Sequence, residues 1–283
     1  MSSNKFRLIV VDVDGTLLSP DGILTPVVRD AILSINKSKC LFTLATGRSI
    51  RSIRAIVDTL NISTPLILHS GSLIQDPITD KVIYEDYLPM DSIKEIIDIL
   101  LAKNLQPVLY THPSVGGNRI AGPISQDSIP EMTDFLANRI KATRVSLGQL
   151  RYTQNVIGVS AFSPTDDMAN VQDLIEKNTN AKALIYRPNL GHSMAWYRLE
   201  VFTRECSKGK ALNRLIRLLG IQNKEVLSIG DNLNDVDLLL ESGLRIAMGN
   251  APNELMSVAH AIVGSNEQNG VAEAIEKYVI GYI

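Results

Sequence analysis

An acidic pair near the N-terminus of this 283-residue chain has the residue types and spacing for chemistry at the end of a strand. Asp12 and Asp14 follow an apolar, β-branched run that begins at Phe6, and Gly15 comes next and permits a sharp turn. Residues two apart on a strand point the same way, so both carboxylates would face one side. An aspartate ending a buried strand is costly unless a cation or ligand uses it. The simpler interpretation is a β-turn in which Asp14 bonds to its own backbone.

A second acidic pair, Asp231 and Asp235, follows a predicted strand at 225–229. With the asparagines between them, among them Asn234, these carboxylates form a compact set of oxygen donors. Hard divalent cations such as Mg²⁺ prefer such donors. The alternative is a polar turn in which Asp235 caps the next helix.

Two further segments have the chemistry to bind an anion. Thr46 ends a predicted strand and is followed by Gly47 and a helix start, so a hydroxyl and backbone N–H groups could surround a phosphate. Lys208 opens a late helix, where its charge is unfavourable to the helix dipole unless an anion lies nearby. A plain capping turn and a solvated lysine are the alternatives, and Lys210 is expected at the surface.

Together these motifs resemble those of the haloacid dehalogenase-like hydrolases, and more narrowly the Cof-type phosphatases with a large α/β cap. The resemblance extends along the whole chain. The matching segments are Asp12-x-Asp14-Gly-Thr-Leu, Thr46-Gly-Arg, Lys208-Gly-x-Ala-Leu, Gly230-Asp231-x-x-Asn234-Asp235, Ala247-Met248-Gly249-Asn250-Ala251 and Asn269-Gly270-Val271-Ala272.

The resemblance implies a Mg²⁺-dependent phosphatase of small phosphorylated metabolites, such as sugar phosphates or phosphorylated cofactors. It makes Asp12 the nucleophile that forms an aspartyl-phosphate, and Asp14 the acid that protonates the leaving oxygen and then the base that activates water. A phosphomutase of the same fold is the alternative, and a non-catalytic binding protein is a weaker one. The aspartate at position 14 disfavours the phosphorylating ATPases of the superfamily, which carry threonine there.

The resemblance also assigns binding roles. Phosphate or substrate contacts fall to Thr46, Gly47, Lys208 and Asn234, of which Thr46 and Lys208 are also counted as catalytic. Asn250 is a further, weaker suggestion for such a contact. The magnesium site is assigned to Asp12, Asp14 through its backbone carbonyl, Asp231, and Asp235 acting through water or Lys208.

One segment departs from the subgroup. After the third predicted strand the chain has His69-Ser70-Gly71-Ser72, where relatives usually carry Asn-Gly-Ala. Ser70 is shorter than asparagine, so the substrate preference of the family does not transfer directly. His69 is expected to be a packed or hydrogen-bonded residue at the strand end.

Strand and helix patterns alternate at both ends of the chain, which predicts an α/β fold with a doubly wound, Rossmann-like parallel sheet. Such a sheet binds ligands at the carboxyl ends of its strands, where the motifs lie. Strands are predicted at 6–13, 41–46, 66–69, 225–229, 244–248 and 261–263. Helices between them are predicted to start at Thr25, Ser49, Ala211, Val236, Asn253 and Val271.

The middle of the chain has longer strands with more alternation between apolar and polar residues. This predicts an α+β cap domain at 85–191 inserted into a hydrolase core of 1–84 and 192–283. The inserted domain is expected to cover the site and exclude water during transfer. Its candidate specificity residues, each also explicable as structural, are Arg119, Arg187, His192 and Trp196.

Composition excludes several classes of protein. The formal net charge is −2 and hydrophobic residues make up 45% of the chain, so neither a nucleic-acid-binding nor a membrane partner is expected. Two cysteines and four histidines are too few for a disulfide scaffold or a zinc cluster. A cytoplasmic protein is the simplest expectation, and the oligomeric state is left open.

Overall fold

The computed structural model describes residues 6–35, 40–111, 119–123, 142–163, 167–186 and 197–280. The chain forms two compact units, Met1–Glu85 with Ser207–Ile283, and Asp86–Cys206. No helix within the described ranges is long and apolar enough to cross a membrane.

The N-terminal part of the first unit alternates strands and helices and then adds two further strands through tight turns. These elements are β1 (Leu8–Val11), α1 (Pro26–Ile35), β2 (Leu41–Leu44), α2 (Ile50–Thr59), β3 (Leu66–Leu68), β4 (Leu73–Gln75) and β5 (Val82–Glu85).

The second unit combines a six-stranded sheet with three described helices. Its elements are α3 (Met90–Ala102), β6 (Val108–Thr111), β7 (Arg119–Ala121), β8 (Thr143–Arg144), α4 (Leu147–Arg151), β9 (Val156–Ser163), α5 (Met168–Asn178), β10 (Ala181–Tyr186) and β11 (Tyr197–Thr203).

The chain then returns to the first unit and resumes the alternation. These elements are α6 (Lys208–Leu219), β12 (Val226–Gly230), α7 (Val236–Leu240), β13 (Leu244–Ala247), α8 (Asn253–Met256), β14 (Ala261–Ile262) and α9 (Gly270–Tyr278).

The core of the first unit is a five-stranded parallel sheet in the order β14-β13-β12-β1-β2. β1 is apolar on both faces because both are covered. Ile9 and Val11 pack among side chains of α1, α2 and α9, whereas Leu8 and Val10 pack among those of α6 and α7. The predicted doubly wound sheet is therefore confirmed. Burial of β1 on both faces explains why its sequence is a continuous apolar run.

β3 differs from the simple pattern expected of a third parallel strand. A single bridge, Ala45 to Ile67, joins it to the β2 side, and its main partner is β4 in an antiparallel sheet of order β3-β4-β5. His69 and Ser70 adopt φ values of 48° and 57°, which turn the chain back on itself.

The sheet of the second unit has the order β10-β11-β9-β6-β7-β8, and α3 and α5 pack against its apolar face. β11 pairs antiparallel with both β9 and β10. This unit consequently extends to Cys206, later than the predicted boundary at residue 191, because the strand leading out of the insertion is an interior strand of its sheet. Arg119 lies in β7, and the other three specificity candidates fall outside the described residues.

Candidate active site

The two acidic motifs lie at one edge of the parallel sheet. β1 and β12 are adjacent and parallel, with Val11 opposite Ile229. Asp12 and Asp231 follow these strands directly, so each enters the region beyond the carboxyl ends, where α/β sheets bind ligands.

Lys208 is completely buried, with 1% of its surface exposed, at the first position of α6. Its Nζ lies 2.5 Å from Asp12 Oδ1 and 2.6 Å from Asp235 Oδ1. Two carboxylates thus neutralise a charge that the helix N-terminus alone would disfavour. Burial lowers the pKa of Lys208, but attraction to the two carboxylates outweighs burial and raises that pKa above its ordinary value. The lysine is therefore a fixed cation.

Asp235 organises the turn that follows β12. Its Oδ2 accepts hydrogen bonds from the backbone N–H groups of Asp231, at 3.1 Å, and Asn232, at 3.2 Å. Gly230 is required here because a Cβ at this residue would lie 2.6 Å from the Cβ of Asp235. Asp235 thus joins Lys208 to the backbone that carries Asp231.

Asp12, Asp231 and Asp235 each offer a carboxylate oxygen, and these oxygens all lie within 4.8 Å of one another. Burial raises the pKa of Asp12 well above its usual range, Lys208 opposes this, and the other two carboxylates add to it. Burial, and then Asp235, raise the pKa of Asp231 to about 7. Three carboxylates surround one ammonium, so full ionisation leaves two negative charges uncompensated. A divalent cation with oxygen ligands fits this donor set in both charge and chemistry.

The segment 12–18, called the catalytic loop below, bends sharply at Gly15. This glycine has a φ of +85°, and a Cβ built on it would lie 2.2 Å from Asp231 Oδ2. Thr16 Oγ1 donates a hydrogen bond of 2.7 Å to Asp231 Oδ1. The loop therefore passes directly against the carboxylate of Asp231, a contact between distant segments that the sequence analysis missed.

Asp14 lies outside the acidic cluster. Its exposed carboxylate accepts two hydrogen bonds from Arg48, from Nε to Oδ2 at 2.8 Å and from Nη2 to Oδ1 at 2.5 Å. No role was predicted for Arg48 from the sequence, although this residue belongs to the Thr46-Gly-Arg motif. This bidentate arrangement fixes the plane of the Asp14 carboxylate.

Thr46 is fully buried in the turn between β2 and α2, which also contains Gly47. Its Oγ1 accepts a hydrogen bond of 3.1 Å from the N–H of Arg48, which leaves its O–H available as a donor. The backbone N–H of Ser70 donates to the Thr46 carbonyl at 3.0 Å, and that of His69 to the Arg48 carbonyl at 3.2 Å. The turns after β2 and β3 are thus bonded together, with His69 buried between strand and turn.

Two asparagines suggested by the resemblance have different surroundings. Asn234 is half-buried in the short turn between β12 and α7. Asn250 donates from Nδ2 to the backbone carbonyl of Gly15 at 2.9 Å. The structure therefore places Asn250 against the catalytic loop, and its suggested substrate contact stays a prediction.

A family profile described as haloacid dehalogenase-like hydrolase matches residues 9–275. The chain belongs to this family. The resemblance recognised from the motifs is confirmed, and the chain is a hydrolase of the phosphatase type.

Curated relatives and solved structures agree over nearly the full length. The chain is 28% identical over 292 residues to the 5-amino-6-(5-phospho-D-ribitylamino)uracil phosphatase YwtE of Bacillus subtilis (strain 168), covering 97% of this chain and 99% of that protein. It is 26% identical over 276 residues to the pyridoxal phosphate phosphatase YbhA of Escherichia coli (strain K12), with the same coverage. A haloacid dehalogenase-like hydrolase from Bacteroides thetaiotaomicron has the same fold, with a TM-score of 0.77 at 24% identity, covering 96% of this chain and 99% of that one.

Proposed function

We propose that this hydrolase removes phosphate from small phosphorylated metabolites through an aspartyl-phosphate formed on Asp12. The observation that carries the proposal is the buried contact of Lys208 with Asp12 and Asp235, beside Asp231. A buried cation held against a carboxylate at a strand end provides a nucleophile and a fixed positive charge in one place.

Asp12 and Asp231 would hold a magnesium ion, with Asp235 supporting them through Lys208 or water, and the resemblance adds the Asp14 carbonyl. When bound, Mg²⁺ withdraws charge from the phosphoryl oxygens and so favours attack on phosphorus. The cluster of three carboxylates and its uncompensated charge support this assignment.

In the first step, Asp12 attacks phosphorus in line with the leaving oxygen, the P–O bond to that oxygen breaks, and Asp14 supplies a proton to it. In the second, water attacks the aspartyl-phosphate, Asp14 takes a proton from the water, and Asp12 is released with inorganic phosphate. Lys208 offsets the negative charge that grows on the phosphoryl oxygens. Thr46 supplies a hydroxyl donor toward the phosphate, and Arg48 orients Asp14.

The proposed substrates are phosphomonoesters of sugars or cofactors. This class is supported by two relatives named for phosphorylated small molecules, pyridoxal phosphate and a phosphoribitylamino-uracil. Ser70, in place of the usual asparagine, is proposed to alter the choice among such substrates.

The test is a panel of phosphorylated sugars and cofactors, assayed for phosphate release with Mg²⁺ and with EDTA. Asp12→Asn should lower turnover of the best substrate by at least about a thousandfold, because no other group forms the covalent intermediate. Asp58→Asn, at an exposed position of α2, is the matched control and should keep wild-type turnover. Wild-type turnover by Asp12→Asn, or full activity in EDTA, would contradict the mechanism.

A further inference from the structure

Two turns near the C-terminus reach the catalytic loop through side-chain amides. Asn250, after β13, donates to the Gly15 carbonyl at 2.9 Å. Asn266, after β14, donates from Nδ2 to the Leu18 carbonyl at 2.8 Å. The two carbonyls lie at the bend and at the end of the catalytic loop, so the amides hold it at two points.

The two asparagines are also joined by a hydrogen bond. The backbone N–H of Asn266 donates to Asn250 Oδ1 at 3.0 Å. The amide of Asn250 is therefore bonded at its oxygen and at its nitrogen, which fixes the direction in which the nitrogen donates to Gly15. We call Asn250 and Asn266 the amide clamp.

The motif glycines of the C-terminal segment build the turns that carry the amide clamp. Gly249 N–H donates to the Gly264 carbonyl at 3.3 Å, and Gly270 N–H to the Ser265 carbonyl at 3.0 Å. A Cβ at Gly270 would lie 1.9 Å from the Gly264 carbonyl oxygen, so only glycine fits. These glycines therefore shape the turns from which Asn250, in the Gly-Asn motif, and Asn266, ahead of the Asn-Gly motif, reach the same loop.

Inside the catalytic loop, two backbone hydrogen bonds close the bend, from Leu17 N–H to the Asp12 carbonyl at 3.2 Å and from Leu18 N–H to the Val13 carbonyl at 3.0 Å. Both cross the segment that contains Asp14. Gly15 already lies against Asp231, so any displacement of its backbone moves Asp14 or presses on Asp231. The position of the loop therefore affects Asp14, which lies on the loop, and Asp231, which lies against it.

We propose that the amide clamp positions the catalytic loop for phosphoryl transfer, so that Asn250 and Asn266 are positioning residues and not substrate ligands. This inference rests on the proposed function for its catalytic part. Small misplacements of reacting groups cost large factors in rate, and loss of either amide donor leaves a loop carbonyl without its partner.

The test compares Asn250→Ala and Asn266→Ala with Thr25→Val. Thr25 Oγ1 donates to Asn269 Oδ1 at 2.6 Å and accepts from the backbone N–H of Val28 at 3.3 Å. The control therefore removes one hydrogen bond to the same C-terminal segment and one at the start of α1, neither of which involves the catalytic loop. Hydrogen exchange of the Leu17 and Leu18 amides is measured by NMR in the metal-free protein. Steady-state kinetics with p-nitrophenyl phosphate and Mg²⁺, and thermal unfolding, are measured alongside.

Each clamp variant should speed exchange of these two amides by about five- to tenfold, the effect of one lost hydrogen bond. It should lower kcat by about tenfold or more while KM changes little, and the control should change neither exchange at these amides nor kcat. Unchanged exchange in the clamp variants would overturn the inference, as would faster exchange with wild-type kcat. A raised KM with unchanged kcat would instead assign Asn250 to substrate binding. A wild-type protein inactive on every phosphate ester would refute the proposed function, while the exchange measurement would still test the clamp.

Discussion

Replacing Lys208 by methionine tests the electrostatic core of the site. Methionine keeps much of the length of the lysine and removes its charge, so the cavity stays filled while Asp12 and Asp235 lose their shared cation. The side chain is 1% exposed, so water cannot take its place without rearrangement of the surrounding residues.

The size of the effect follows from the two contacts of 2.5 and 2.6 Å. Removing one partner of a buried ion pair costs about 3 to 5 kcal/mol, because the remaining charge is left uncompensated. At about 2 to 4 °C per kcal/mol for a protein of this size, Lys208→Met should lower the Tm of the metal-free protein by about 6 to 20 °C. With Mg²⁺ present, kcat should fall by about a hundred- to a thousandfold, since a fixed cation at the transferring group is lost.

The assay is thermal and urea unfolding in EDTA at about pH 8, where the carboxylates are most fully ionised. Lys210→Met is the matched control: it lies on the same helix and undergoes the same substitution, but its side chain is exposed. This control should stay within about 0.5 kcal/mol of the wild type. A decrease of less than about 1 kcal/mol in the free energy of unfolding of Lys208→Met would refute the reasoning, since removal of a buried cation from two carboxylate partners should destabilise the protein by more than this.

Three further predictions concern the groups around this core. Gly15→Ala should weaken Mg²⁺ binding by about tenfold or more, measured by calorimetry, because its Cβ would lie 2.2 Å from Asp231 Oδ2. The folded-state pKa of Asp231, about 7, lies above its ordinary value of 3.8, so its contribution to stability is present at low pH and is lost as pH rises through 7. Since Mg²⁺ binds the ionised carboxylate, it should raise Tm more at about pH 8 than at about pH 5.5. Arg48→Met should lower kcat on alkyl phosphates by about ten- to a hundredfold and on p-nitrophenyl phosphate by less, because that leaving group needs little help from Asp14 while the second step still needs Asp14 to activate water.

The control variants for these predictions separate a local effect on the site from a general loss of stability or folding. Gly22 has a φ of +75° with nothing within 4 Å of a Cβ, so Gly22→Ala has the same backbone strain as Gly15→Ala without the clash and should keep Mg²⁺ affinity. Arg51→Met, at an exposed position of α2, should retain activity on both substrate types. Equal Mg²⁺ affinity in the two glycine variants, equal rate losses on both substrates for Arg48→Met, or a Mg²⁺ effect on Tm independent of pH would each contradict the corresponding argument.

The fold of the first unit could be predicted because its signals are local. An apolar run such as 8–11, buried on both faces, specifies a central parallel strand, and helical periodicity marks α1 and α2. The limit of the insertion was harder to predict. β11 has the length and alternation of an antiparallel strand, but only its pairing with β9 and β10 shows which sheet it joins.

The site could be predicted in its residue types and less in its contacts. The motif spacing predicted Asp12, Lys208 and Asp235 as residues of one site and offered contact with Lys208 or with water as alternatives for Asp235. That Lys208 and Asp235 bond directly depends on how α6 packs beside β12. Thr16 and Arg48 were missed as site residues because their roles depend on partners 215 and 34 residues away. Both aspartates of the first motif were predicted on one side from strand alternation, but β1 ends at Val11, so the alternation does not extend to Asp14, whose carboxylate bonds to Arg48.

The burial of Lys208 is itself an argument for function over stability. Apolar side chains of similar volume in place of a buried ion pair are often equally or more stabilising, because desolvation of the charges offsets their attraction. Stability alone therefore gives no reason to bury this lysine with two carboxylates at a helix N-terminus, beside a third carboxylate whose pKa is raised to about 7. A transferring phosphoryl group does give a reason, since it needs a cation that is already fixed and desolvated when negative charge develops. The charges whose burial stability alone does not explain are thus the ones that the proposed phosphoryl transfer would use.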